Sequence, residues 1–331
     1  MKRILVTGAC GSIGKALVYA LIDSGNKVCA FDNNEDGLFH LNKEINATYS
    51  HRLNIFIGDI RDSARLGQAM VGVDEVYHCA ALKHVELSEY NPFEVLKTNV
   101  TGTINVLDAA ILNKVKKVLV TSSDKAVNPS STMGTTKLLA EKLTISANNY
   151  LGSEDIRFGC VRFGNVWNTN GSVGPIFKQQ ILLKQDLTVT DKNMSRFFVS
   201  KDEAIKLCID ACASLLGGEI FISDMGATSV GLIADEFKTY GTDTKILETG
   251  AKPGEKLYEE LFTDVESVRT YKHSGMYVII PESLDKESDK YKELQKCYVN
   301  GNPIGTALRS DSAFAEKINV KSLVSGVMNE V

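Results

Sequence analysis

The chain has 331 residues, 44% of them hydrophobic and 24% charged, with a formal net charge of -4. That length accommodates one large α/β domain with a smaller attached lobe. The mild acidity argues against a general nucleic-acid binder, which carries a basic field, and no apolar run approaches the roughly 20 residues that span a bilayer.

The opening stretch, Met1 to Val6, is too short before Gly8 for a signal peptide and reads as a first strand, Arg3–Thr7. A cytoplasmic location is therefore expected. The seven cysteines fit it, since the number is odd and no C-x-x-C pair or metal-ligand spacing occurs. Cys208 and Cys212 share a helical face and read as core packing, and no metal site is expected.

Val6-Thr7-Gly8-Ala9-Cys10-Gly11-Ser12-Ile13-Gly14 follows that strand and opens a helix near Ser12. Gly8, Gly11 and Gly14 allow a tight turn and close approach of a pyrophosphate, with Ser12 and Ile13 at the helix N-terminus that stabilises its charge. Asp32 closes a second strand, Lys27–Phe31, where a carboxylate accepts hydrogen bonds from ribose hydroxyls and repels a 2′-phosphate. With no arginine in Phe31-Asp32-Asn33-Asn34, the expected cofactor is NAD rather than NADP. Asp59 and Ile60 follow the third strand, Asn54–Gly58, on the adenine side. Ala80 and Ala81 follow the fourth, Glu75–Cys79, where small side chains let the chain pass beneath a cofactor.

Further strands are predicted at Lys117–Thr121, Arg157–Arg162 and Glu219–Ser223, with helices beginning near Ser63, Pro92, Thr135 and Lys201. Such alternation predicts βαβ units in an α/β, doubly wound parallel sheet of the Rossmann kind, with ligands at the carboxyl ends of the strands. After Asn165 the rhythm breaks. Residues 1–165 with about 200–224 are expected to form the dinucleotide domain, and about 166–199 with 225–331 a smaller substrate lobe.

Ser122-Ser123-Asp124-Lys125 follows the fifth strand, with Met133 and Lys137 in the spacing M-x-x-x-K. This resembles the catalytic stretch of a short-chain dehydrogenase/reductase whose usual tyrosine has become methionine. Methionine has no proton to exchange, so acid and base must lie elsewhere, and Asp124 and Lys125 are the candidates.

The resemblance extends along most of the chain. It includes Ala80-Ala81-Leu82-Lys83-His84-Val85, Lys97-Thr98-Asn99-Val100, Ser123-Asp124-Lys125-Ala126-Val127-Asn128-Pro129, Arg162-Phe163-Gly164-Asn165-Val166 and Lys252-Pro253-Gly254-Glu255-Lys256 through Leu261. These motifs are similar to those of extended short-chain dehydrogenase/reductases acting on nucleotide sugars, and most of all to the UDP-N-acetylglucosamine 4,6-dehydratases of surface-polysaccharide and protein-glycosylation pathways. The resemblance implies an internal redox elimination. The sugar loses hydride and a proton at C4, loses water across C5 and C6, and regains hydride at C6.

It also implies roles. Lys137 holds the nicotinamide ribose. Lys125, made neutral by crowding from Lys137 and the cofactor, removes the C5 proton. Asp124 protonates the departing C6 hydroxyl and can also receive the C4 proton, while Ser123, or else Ser122, bonds the C4 oxygen. Lys83, Asn165, Val173, Arg196, Lys252 and Glu255 are implied substrate contacts, with Arg196 and Lys252 at the pyrophosphate. Lys83 and Asn99 also stand near the cofactor, Asn99 through backbone bonds. Trp167-Asn168-Thr169-Asn170 replaces a Gly-Ser-Arg run of relatives, and Lys252 replaces an arginine, which leaves UDP and GDP substrates both open. The configuration at C5 leans to retention. Oligomers are expected, through helices around 92–113 and 135–150. A nucleotide-sugar 4-epimerase and a non-catalytic dinucleotide sensor are the competing functions.

Overall fold

The computed structural model describes every residue except 47, 50, 152–154, 170, 283–285, 313–317 and 330–331. Asn170 thus lies outside the described residues.

The first half alternates strand and helix: β1 (Arg3–Thr7), α1 (Ser12–Asp23), β2 (Lys27–Asp32), α2 (Glu35–Asn46), β3 (Leu53–Ile57), α3 (Ser63–Ala69) and β4 (Glu75–His78). Then come α4 (Val85–Tyr90), α5 (Pro92–Leu96), a π-turn at Lys97–Thr101, α6 (Gly102–Leu112), β5 (Lys117–Ser123), α7 (Thr132–Ala147) and β6 (Arg157–Phe163). Ile4, Leu5 and Val6 of β1 are all buried, as in a strand covered on both faces.

The remainder weaves between two regions. It contains β7 (Asn165–Val166), α8 (Val173–Leu182), β8 (Leu187–Val189), β9 (Ser195–Val199), α9 (Lys201–Ser214), β10 (Ile220–Ser223), β11 (Gly226–Ser229) and α10 (Val230–Lys238). After these lie β12 (Ile246–Glu248), β13 (Glu260–Phe262), α11 (Asp264–Ser267), β14 (Thr270–His273), β15 (Met276–Ile279), α12 (Asp289–Tyr298), β16 (Leu308–Arg309) and α13 (Val320–Asn329).

A nine-stranded sheet runs β14-β15-β10-β6-β5-β4-β1-β2-β3. Seven strands are parallel, and β15 and β14 join antiparallel at the β10 edge. The order reverses between β1 and β4, the switch point at which doubly wound sheets open a crevice.

Chain 225–331 is therefore not wholly a separate lobe, contrary to expectation. Ile222 pairs with Tyr277 and Phe221 with Val278, and Leu294 and Tyr298 of α12 pack into the main core. The pairing is long-range, with no local periodicity to announce it. The smaller lobe has its own core, in which Trp167, Phe177, Phe198, Phe237 and Val324 meet.

Other boundaries shift for local reasons. α7 begins at Thr132 rather than near Thr135, because the Ser131 side chain accepts the Gly134 N–H and caps the helix. The helix expected from Pro92 carries the π-turn, which buries Asn99 and Val100. α2, α4 and α8 were not anticipated.

Candidate active site

Gly8 lies just past β1 with φ +67, and a Cβ there would stand 2.7 Å from the backbone nitrogen of Ala80. Gly14 is tighter, since its Cβ would come 2.0 Å from the Gly8 carbonyl oxygen. Both positions require glycine, which draws the loop against the end of β4. Gly11, the N-cap of α1, offers no side-chain cap. The helix therefore presents uncapped backbone N–H groups, an anion site suited to a pyrophosphate.

Asp32 accepts hydrogen bonds from the backbone N–H of Cys10 and of Asn34, each at 2.9 Å. With Asp59, Ile60, Ala80 and Ala81 it lines a hollow of about 560 Å³. Past Gly8, Gly11 and Leu82 this opens into a second hollow of about 580 Å³. End to end, the two suit an elongated ligand with a phosphate centre. Sequence inspection missed Arg61, which lines the first hollow beside Asp32. Its guanidinium grips Asp59 at 2.6 Å and Glu94 at 2.9 Å, so its charge is matched within the protein.

The second hollow gathers Ser12, Ile13, Lys83, Ser123, Lys125, Met133, Lys137, Asn165 and Val173. Met133 is buried one helical turn before Lys137. Lys137 donates from Nζ to the Thr121 carbonyl at 2.9 Å, and burial holds its ammonium below its ordinary pKa. Burial likewise holds Lys83 below its usual range.

β5 ends in a single 3₁₀ turn, Asp124–Ala126. Asp124 is fully buried, and its Oδ1 accepts from Ser123 Oγ at 2.8 Å and from Lys125 Nζ at 2.9 Å. Lys125 Nζ also donates to Asn165 Oδ1 at 3.1 Å. Asp124 Oδ2 and Ser122 Oγ are buried with no hydrogen-bond partner among the described residues. With Ser123 committed to Asp124, Ser122 is the serine left with an unused hydroxyl, and it also lines the hollow.

The protonation of Lys125 differs from expectation. Burial works to lower its pKa, but the carboxylates of Asp124 and Glu259 outweigh it and hold the pKa above normal. The charges that act on it are those of Asp124 and Glu259, with Arg196 opposing them.

The other expected contacts divide. Arg196 and Glu255 line a side chamber of about 180 Å³ that shares Lys125 and Asn165 with the main hollow. Arg196 is buried and donates to the Ser195 carbonyl at 2.8 Å. Lys252, expected at the pyrophosphate, lines none of these hollows and is exposed, paired with Glu86 at 2.7 Å. Asn99 stands behind the groove, not in it. Its Oδ1 accepts from Leu82 N–H at 2.8 Å, and its Nδ2 donates to Leu82 O at 3.0 Å and Thr136 Oγ1 at 3.1 Å. Those bonds consume the amide, so it braces the loop instead of touching a cofactor.

Arg162, fully buried at the end of β6, ties the site together. It binds Glu141 of α7 at 2.7 Å, Glu266 at 3.1 Å and the Leu261 carbonyl at 2.8 Å.

A family model described as "Polysaccharide biosynthesis protein" matches residues 4–281. The chain belongs to this family. A UDP-N-acetylglucosamine 4,6-dehydratase (inverting) of Campylobacter jejuni is 39% identical over 293 residues, covering 87% of this chain and 86% of that one. An uncharacterized membrane protein of Methanocaldococcus jannaschii is 46% identical, covering 86% and 87%. Among the described residues here, no helix is long and apolar enough to cross a membrane. The solved structure of Pen from Bacillus thuringiensis superposes with a TM-score of 0.89 at 38% identity, covering 100% of this chain and 98% of that one. Together these place the chain among the extended short-chain dehydrogenase/reductases that include nucleotide-sugar dehydratases and epimerases.

Proposed function

We propose that the protein is an NAD-dependent nucleotide-sugar 4,6-dehydratase acting on UDP-N-acetylglucosamine. The observation that carries this reading is Lys125, which lines the glycine groove beside Met133 and is hydrogen-bonded at 2.9 Å to the carboxylate of Asp124, buried directly behind it. The dehydratase relatives at 39% identity support it.

Gly8, Gly11 and the N-terminus of α1 would hold the NAD pyrophosphate, Asp32 the adenosine ribose and Lys137 the nicotinamide ribose. Bound there, NAD supplies the temporary hydride store that an internal redox elimination needs. The protein's own residues handle protons. Lys125 must shed one before it can act as a base, and Asp124 Oδ1 lies 2.9 Å away along a hydrogen bond. Moving that single proton from Nζ to the carboxylate makes an amine base and a carboxylic acid in one step. Lys125 then takes the C5 proton, and Asp124 gives its proton to the C6 hydroxyl as it leaves as water. Ser122 or Ser123 holds the C4 oxygen. Since Met133 can exchange nothing and Asp124 already carries a proton, the C4 hydroxyl proton would leave through that serine hydroxyl to solvent, and Lys125 would return its proton to C5 as hydride returns to C6.

For the configuration at C5, the inverting designation of the Campylobacter relatives favours inversion over the retention to which the sequence leaned. The test is incubation with UDP- and GDP-N-acetylglucosamine in heavy water, without added reductant, followed by mass and proton NMR analysis. A product lighter by one water, with deuterium at C5, is expected from the UDP sugar, and the coupling at C5 reports configuration. Rickettsial UDP-glucose 4-epimerases at 34% identity give the second reading. An isomer of unchanged mass would establish it in place of the dehydratase.

A further inference from the structure

Glu259 stands in the run Tyr258-Glu259-Glu260 and has entered so far only as a charge. The segment that bears it is pinned beside the Asp124 turn at three points. Lys256 Nζ donates to the Val127 carbonyl at 2.8 Å, Asn128 Nδ2 donates to Glu260 Oε2 at 2.7 Å, and Arg162 donates to the Leu261 carbonyl at 2.8 Å. Between these anchors the Glu259 side chain turns inward and is 5% exposed. Its Oε1 lies 3.9 Å from Lys125 Nζ and 4.0 Å from Arg196 Nε. Its Oε2 is buried with no hydrogen-bond partner among the described residues, beside the side chamber shared with Lys125 and Asn165.

A carboxylate oxygen left without a partner in the interior is costly. Arg196 is itself buried, but Oε1 stands as near the Lys125 amine as it does to that guanidinium. We propose that Glu259 is a positioning residue for the Lys125 amine: with Asp124 and Asn165 it fixes where Nζ sits, and its negative charge governs when Nζ releases a proton. The inference rests on the reading of Lys125 as the C5 base. It makes that base depend on a segment far along the chain.

The charged groups facing this cluster are Asp124 and Lys125 on the turn after β5, Arg196 on β9, and Lys256 on the segment before β13. Burial and the Asp124 charge push the Glu259 carboxyl above its usual range, while Lys125 and Arg196 oppose them. Removing the charge at 259 takes away one of the two carboxylates that keep Lys125 protonated. The amine should then titrate at lower pH.

The test needs no turnover. The NAD-loaded protein is exposed to a trace of acetic anhydride across a pH series, and acetylation of Lys125 is read by peptide mass spectrometry. In Glu259→Gln, Lys125 should label roughly tenfold faster at a fixed pH below its midpoint, the equivalent of about one pH unit. Glu259→Asp should fall between. An unchanged Lys125 midpoint in Glu259→Gln, with thermal stability retained, overturns the proposal. Should the glutamine variant fail to fold, an unchanged midpoint in Glu259→Asp overturns it equally. Wild-type turnover of UDP-N-acetylglucosamine is measured separately, so an absent product would refute the function while leaving the labelling result to judge Glu259.

Discussion

Lys125 folds back along its own turn, so that its Nζ meets Oδ1 of the preceding residue, Asp124, at 2.9 Å. Neighbours in sequence thus form a direct link in the candidate proton path. Lys125→Ala and Asp124→Asn should each lower turnover of UDP-N-acetylglucosamine by about 10²–10⁴-fold, the range for loss of a general acid or base. NAD affinity should stay within a few-fold of wild type, because neither residue touches the glycine loop. Coupled kinetics and equilibrium titration check both, and loss of NAD binding in Lys125→Ala would contradict its role.

Gly14→Ala addresses the other end of the groove. The added methyl would meet backbone of Gly8 and Ala9, not a flexible side chain, so the loop itself must move. NAD should bind at least tenfold more weakly, about 1.4 kcal/mol, as measured by calorimetric titration.

Arg162 is an interior cation with carboxylate partners on two segments, Glu141 and Glu266. Arg162→Ala leaves Glu141 buried and unpaired, and the cost should be about 3–5 kcal/mol. Paired removal, Arg162→Met with Glu141→Leu, should recover a large share of that loss. Denaturant midpoints for the wild type, the single and the double variants check this.

His78 is buried between Thr7 Oγ1 at 2.7 Å and Thr103 Oγ1 at 3.1 Å. Burial and then the Lys137 charge push its pKa down from 6.5 to about 3. Below the unfolded value the unfolded chain binds a proton that the native ring refuses, so stability falls as pH drops from 6.5 toward about 3. The slope should approach about 1.4 kcal/mol per pH unit from this group. His78→Gln should flatten it, as seen in urea midpoints taken at about pH 7 and about pH 5. An identical slope in the variant would remove His78 as the cause.

Much of this was legible before any coordinates. Buried parallel strands read as apolar runs, and a glycine loop between strand and helix has a geometric reason to exist. Asp124 and Lys125 were visible because one short turn carries both. Glu259 was not, since Glu255, Glu259 and Glu260 stand close together and nothing local says which turns inward. That depends on anchors at Val127, Asn128 and Arg162, all remote in sequence. Arg61 escaped notice because its place in the hollow with Asp32 follows from the pairing of β2 with β3. The strand pair β14–β15 was hidden for a related reason, being short and separated from β10 in sequence by β11, α10, β12, β13 and α11.

That strand pair has a mechanical consequence. Two bodies joined by one tether can swing apart, but this chain leaves the sheet after β6, returns for α9 and β10, leaves again at β11, and comes back to lay down β14 and β15. The cleft is stitched along its length. A single proteolytic cut should therefore fail to shed either half under native conditions.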